Sequence, residues 1–217
     1  MIVKTLFSSS QSTNSDLLLI LVDNSFKLKG YQLEIDKNCS NNISKMLKSR
    51  LLENKKGQSI TFPAFNRSHS FQVMIYCVGK LEDLEIDKTD RLGGKICSEV
   101  MGKYSNVSIS CEFSNDVNDN FAASMLHGFM LRSYSFNKYK AKTKNKIQKI
   151  LKSIEIITKS PSKVKKLYSP LKSLMDGVYL TRNLVSEPAN VLTPKVLAEE
   201  AAKLKDLGIK VEILDLK

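Results

Sequence analysis

Hydrophobic positions in this chain form short apolar runs between polar breaks, followed by one long stretch of helical spacing. Ile2 to Phe7 is a short β-like run, and Asp16 to Asp23 encloses a wholly apolar strand closed by Asp23-Asn24-Ser25. Ser40-Asn41-Asn42 offers side-chain oxygens to cap a helix through about Leu52, with Ile43, Met46, Leu47 and Leu51 on one face. Lys56-Gly57 ends that helix, Ser59 to Phe65 is the next strand, and Phe71 to Val78 is a strong strand stopped by Gly79. Asp87 to Asp90 supply carboxylates suited to the start of a helix from about Thr89 to Tyr104. Val107, Ile109, Cys111 and Phe113 alternate, which predicts a half-buried strand. Asn118 to Arg132 is apolar nearly all round (Phe121, Ala122, Met125, Leu126, Phe129, Met130), so it predicts a helix buried on more than one side. Within Ile147 to Ile157 a strand follows, best placed from Ser153 to Thr158. Strands alternating with helices predict an α/β sandwich about a mainly parallel or mixed sheet.

The pattern changes near Ser160. Val164, Leu167, Leu171, Leu174, Met175, Val178 and Val185 recur at threes and fours, predicting a long amphipathic helix. Pro170 kinks it or restarts it with Ser169 as cap, and Pro188 ends it. Thr193-Pro194 opens another helix with Leu197, Ala201 and Leu204 inward, closed by Gly208, and Ile209 to Leu214 reads as a strand. A terminal strand must pair its backbone N–H and C=O groups. The sheet this strand would join is therefore expected outside the chain.

Composition narrows the class. At 42% hydrophobic and 26% charged, the chain is an ordinary folded polypeptide, and nine Gly and five Pro exclude collagen-like or linker readings. Leu17 to Val22 is the longest aliphatic run, far short of the roughly 18–20 residues of a bilayer span, and it lies behind a polar stretch unlike a signal peptide. The expectation is a soluble, cytoplasmic protein. Cys39, Cys77, Cys97 and Cys111 contain no Cys-x-x-Cys pair and read as reduced structural thiols. Of the two histidines, His69 reads as a loop residue and His127 as a core residue of an apolar helix; neither has a triad motif around it.

Charge changes the picture more. The net charge is +12. Thirteen of the 34 basic residues, and a single acidic one, Glu155, fall between Arg132 and Lys172; the 21 basic and 21 acidic residues elsewhere cancel. The excess centres on Lys138, Lys140, Lys142, Lys144, Lys146, Lys149 and Lys152. Such a tract can neutralise phosphates, yet only five of the 34 basic residues are Arg, the residue suited to planar bidentate recognition. A solvated lysine face is the simpler account. Acidic residues cluster only at Glu82, Asp83, Glu85, Asp87 and Asp90, between a strand and a helix, where they suit the helix start rather than a metal. Gly93-Gly94 lies inside a helical pattern, and no phosphate-cradling glycine loop follows a strand.

The segment Leu180-Thr-Arg-Asn-Leu-Val-Ser-Glu-Pro-Ala-Asn-Val-Leu-Thr-Pro194 closely resembles the junction segment of the leucyl aminopeptidase family. Tyr76-Cys77-Val78-Gly79-Lys80 followed by Arg91-Leu92-Gly93-Gly94-Lys95 resembles the family's strand–turn–helix unit. Phe121 to Lys142, with Gly128, Ser133, Tyr134, Phe136 and Tyr139-Lys140, resembles its buried helix and following loop. The resemblance implies a macro-domain-like mixed sheet flanked by helices over 1–158, a linker helix over 159–187, and over 188–217 the truncated opening of a second α/β domain. It implies membership of a group of cytosolic, hexameric metallo-exopeptidases that remove N-terminal residues from peptides with two divalent metals, zinc or manganese. The family's Asn-Thr-Asp-Ala-Glu-Gly-Arg and Thr-Phe-Asp-Ser-Gly-Gly stretches have no counterpart here, so no catalytic or metal-binding residue carries over.

The expectation is a catalytically silent N-terminal portion, monomeric or weakly oligomeric, whose role is folding, assembly and shaping access to the active site of the full enzyme. The alternative is a nucleic-acid-binding module using the lysine tract, for which DNA-binding members of the family offer a precedent. A macro-like domain holding ADP-ribose is a third reading, resting on fold analogy alone.

Overall fold

All seven residues of Leu17–Asp23 are buried, a pattern that belongs to a central strand with helices on both faces. The computed structural model describes residues 3–11, 15–49, 52, 55–65, 70–83, 86–113, 119–140 and 149–214. In chain order the elements are β1 (Lys4–Ser8), β2 (Leu17–Asp23), α1 (Tyr31–Asn38), α2 (Asn42–Lys48), β3 (Ser59–Phe65), β4 (Ser70–Gly79), α3 (Ile86–Val100), β5 (Asn106–Ser110), α4 (Asp119–Ser133), β6 (Ser153–Ile157), α5 (Pro161–Ser186) and α6 (Pro194–Ala202). One six-stranded sheet has the order β1-β6-β5-β2-β4-β3. Every neighbouring pair is parallel except β3 with β4, and β3, carrying Pro63, is an edge strand as a proline there requires. The mixed α/β sandwich expected from the sequence is the observed architecture.

Alternate residues of β2 feed two cores. Leu17, Leu19 and Leu21 lie against α3, α4 and the first half of α5, with Ile96, Met125, Phe129 and Val164 among them. Leu18, Ile20 and Val22 lie against α1 and α2, with Ile35, Ile43 and Leu47. Burying each such leucine contributes about 1.5–3 kcal/mol, so β2 anchors both layers. Helix α4 is buried at every position from Phe121 to Met130, as its all-round apolar surface predicts. It can pack so closely on α3 because both helices carry glycine at the crossing. A Cβ on Gly93 would overlap the Met125 carbonyl oxygen, and one on Gly128 would overlap the Asp90 carbonyl oxygen.

Several expectations need correction. Helix α2 ends at Lys48, and Ser40 and Asn41 take left-handed φ values of 57° and 58° without capping it. Its first turn is held instead by Asp36 of α1, whose carboxylate accepts from the Ser44 N–H (3.1 Å) and the Ser44 hydroxyl. Strand β5 stops at Ser110 and is buried on both faces, because Ser108 and Ser110 are covered rather than solvated. Helix α5 runs unbroken through Pro170. Its buried residues are Val164, Tyr168 and Met175, whereas Leu174 and Val185 are 58% and 80% exposed. Helix α6 buries none of its residues, so Leu197, Ala201 and Leu204 do not point into a core. Residues 209–214 form no strand, since no neighbouring strand offers them a ladder, although Gly208 does close the preceding turn at φ 81°. Among the described residues no helix is long and apolar enough to cross a membrane.

The glycine crossing yields a paired prediction. Gly128→Ala should lower stability to urea by about 1–3 kcal/mol or more, because backbone must move to admit the methyl group. Gly177→Ala, within α5 and with nothing within 4 Å of the added Cβ, should raise it by about 0.5–1 kcal/mol. Equal responses at the two positions would contradict the packing described.

Candidate functional site

In open α/β sheets, ligands bind beyond the carboxyl ends of the strands, where the order of connection reverses. Here that point lies between β2 and β5, which are followed by the Gly30 turn into α1 and by Glu112. Gly30 has φ 51°, and a Cβ there would collide with the Glu112 carboxylate. Glu112 Oε2 accepts from the Tyr31 N–H at 2.7 Å, so this side chain occupies the amino end of α1. Burial raises the Glu112 carboxyl above the ordinary carboxylate range, partly opposed by the Tyr31 and Gln32 backbone donors and by Lys159. A helix amino end is the natural seat for an anion in such a crevice. In this chain a carboxylate of its own sits there, and a macro-like phosphate site lacks that seat.

Four further acidic groups are likewise committed to structural partners. Glu155, the lone acidic residue of the basic tract, is a core residue of β6. Its Oε1 accepts from the Ser8 hydroxyl at 2.9 Å and its Oε2 from the Ser108 hydroxyl at 2.6 Å, with Ser15 bonded in turn to Ser108. Asp16 Oδ2 accepts from the Ser105 and Asn106 N–H groups at 2.7 and 3.2 Å. Asp90 Oδ2 pairs with His127 Nδ1 at 3.2 Å, which makes His127 a partnered core residue of α4. Asp119 pairs with Lys163 at 2.9 Å, tying α4 to α5. Among the described residues no three His, Cys, Asp or Glu side chains converge as metal ligands. The two divalent metals implied by the resemblance do not fit the donor set of the described residues. Of the acidic cluster before α3, Glu85 and the Asp87 side chain lie outside the described residues.

The lysine tract is dispersed in its roles. Lys138, Lys140, Lys149 and Lys152 are exposed; Lys142, Lys144 and Lys146 lie outside the described residues, as does His69. Lys138 pairs with Glu187 Oε1 at 2.7 Å, and the Tyr139 hydroxyl donates to Glu187 Oε2. Those two hydrogen bonds hold the Glu187 carboxyl below its usual range. The Lys149 N–H donates to Gly102 O at 3.1 Å, and the Lys152 N–H to Ser105 O at 2.7 Å, so their backbones belong to the sheet's amino end.

Sequence reasoning missed a clasp between the loop after α4 and the second half of α5. The Tyr134 hydroxyl donates to Asn183 Oδ1 at 3.0 Å, Arg182 Nη1 donates to Leu131 O at 2.9 Å, and the Tyr179 hydroxyl donates to Met130 O. With Lys138 and Tyr139 on Glu187, the clasp joins two of the three segments that carry the family resemblance. The four cysteines are free; Cys39, Cys77 and Cys97 are buried and Cys111 half-buried. Burial pushes their thiols up, that of Cys97 to about 12, which makes them unreactive.

Residues 19–143 match the family model described as "Cytosol aminopeptidase family, N-terminal domain". Probable cytosol aminopeptidases of Rickettsia bellii and Rickettsia africae are each 29% identical over 214 residues, covering 96% of this chain and 43% of theirs. A mutant of tomato leucine aminopeptidase superposes with a TM-score of 0.70 at 20% identity, over 95% of this chain and 42% of that one, and shares its fold. The chain thus spans less than half the length of these relatives.

Glu112 provides a pH test. Its folded carboxyl titrates above the unfolded one, so protonation favours the folded state, and its contribution fades as pH rises through the folded value. The stability of the wild type minus that of Glu112→Gln should fall as pH rises from about 4 to 7. A difference that grows over that range, in urea titrations, would reverse the assignment.

Proposed function

This chain belongs to the cytosol aminopeptidase family, and from that premise we propose that it is the family's non-catalytic N-terminal portion. The family's reaction removes N-terminal residues from peptides with two divalent metals, zinc or manganese. A two-metal hydrolase needs several carboxylates converging on ions about 3.5–4 Å apart. The observation that carries the reading is the dispersal of Glu112, Glu155, Asp16, Asp36 and Asp90 to separate structural partners. The chain's part is then folding, assembly and shaping access to an active site supplied by the rest of a longer family polypeptide.

The division proposed is an N-terminal macro-like domain over 1–158, a linker helix over 159–187, and over 188–217 the opening of the catalytic domain. Exposed Val185, Leu207 and Leu214, at 80%, 76% and 85%, support a surface completed by the remainder of such a polypeptide. We place the protein in the cytoplasm, hexameric as the complete enzyme and monomeric or weakly associated as this chain alone.

A second reading, nucleic acid docked on the lysine tract, is favoured by the exposure of Lys138, Lys140, Lys149 and Lys152 and opposed by the Glu187 partner of Lys138. Binding through phosphates would weaken steeply between about 50 and 200 mM salt in a gel shift, and no shift at the lower salt removes this reading.

The main reading is tested by an aminopeptidase assay of the purified chain on leucine p-nitroanilide with added manganese. The expected result is no turnover above the metal-only control. Robust turnover would overturn the proposal.

A further inference from the structure

Three of the chain's five arginines line one open cleft of about 500 Å³, together with Asp90 and Tyr134. Arg91 comes from α3, Arg132 from α4 and Arg182 from α5, so three separate elements bring arginines to the lining of one cleft. In a chain whose other 29 basic residues are lysines, this convergence is not a by-product of overall charge. A lysine serves as well for diffuse surface charge, whereas the planar fork of arginine is suited to gripping two oxygens of one anion.

Two of the forks are held in place. Arg182 lies over the Tyr134 ring at 5.3 Å from its centroid and donates through Nη1 to Leu131 O at 2.9 Å. Tyr134 is itself fixed by its hydrogen bond to Asn183 Oδ1 at 3.0 Å. Arg132 donates through Nε to the Ser98 hydroxyl at 3.2 Å. Arg91 is exposed. The one carboxylate at the cleft, Asp90, is paired with His127, and its other oxygen is buried. Three formal positive charges against one negative leave the cleft at a formal +2. A phosphate monoester carries about −1.5 to −2 near neutral pH, whereas a carboxylate carries one charge and would leave the cleft under-compensated. The volume also falls within the roughly 300–1,000 Å³ of small-molecule sites.

We propose that Arg91, Arg132 and Arg182 form a binding cleft for the phosphate group of a small phosphorylated ligand. The test is calorimetric titration of the purified chain with inorganic phosphate and with pyrophosphate, using acetate as the monoanionic control. Arg91→Lys and Arg132→Lys keep the charge and remove the fork. The proposal expects saturable one-site binding of phosphate or pyrophosphate, none of acetate, and roughly tenfold or greater weakening in Arg91→Lys, whose exposed side chain can change without disturbing the core. Three results would each overturn it: no saturable phosphate or pyrophosphate binding up to about 10 mM, a range that covers weak sites; acetate binding of equal strength; or unchanged affinity in the lysine variants.

Discussion

A carboxylate taken out of water must be met by donors, and that requirement organises this chain. Glu155 could not sit in the middle of β6 without the hydroxyls of Ser8 and Ser108, which tie β1, β6 and β5 together on the sheet face that carries Leu18 and Ile157. Glu112 could not lie against Gly30 without the Tyr31 N–H, and Asp36 orders α2 through Ser44. Each of these acids holds at least two segments together. Drawing the same groups together around a metal would break these contacts.

The same division runs through the helical layer. The stretch of α5 up to Met175 is part of the domain core, with Val164, Tyr168 and Met175 buried. Beyond Met175 it is held by Tyr179, which packs against the core and the Tyr134 ring, and by polar contacts of Asn183 and Arg182 and of Glu187 just past its end. Exposed ion pairs are worth little singly, so the clasp positions α5 more than it stabilises it. Beyond it, α6 has no buried face.

Much of the sheet was legible from sequence because its signals are local. β2 is continuously apolar, β4 is a long β-branched and aromatic run, and α4 is apolar all round, so each announces a buried element. The edges of legibility have physical causes. Helix α1 went unread because its buried face consists of Gln32, Ile35 and Asp36, two of them polar and satisfied by tertiary partners that no periodicity reveals. The far face of β5 was misjudged because Ser108 and Ser110 look like solvent-facing residues, and only the fold brings Glu155 to Ser108. The expected strand at 209–214 failed because a strand's existence depends on its neighbour, which local pattern cannot supply. The arginine cleft was invisible for the same reason: Arg91, Arg132 and Arg182 are 41 and 50 residues apart in sequence.

The account is tested most directly by equilibrium dialysis of the purified chain against zinc and against manganese, with bound metal counted per polypeptide. It predicts no stoichiometric binding of either ion at micromolar concentrations. Two tightly held ions per chain, lost on substitution of acidic residues such as Asp90 or Glu112, would show that these carboxylates can be gathered into a catalytic centre, and would contradict it.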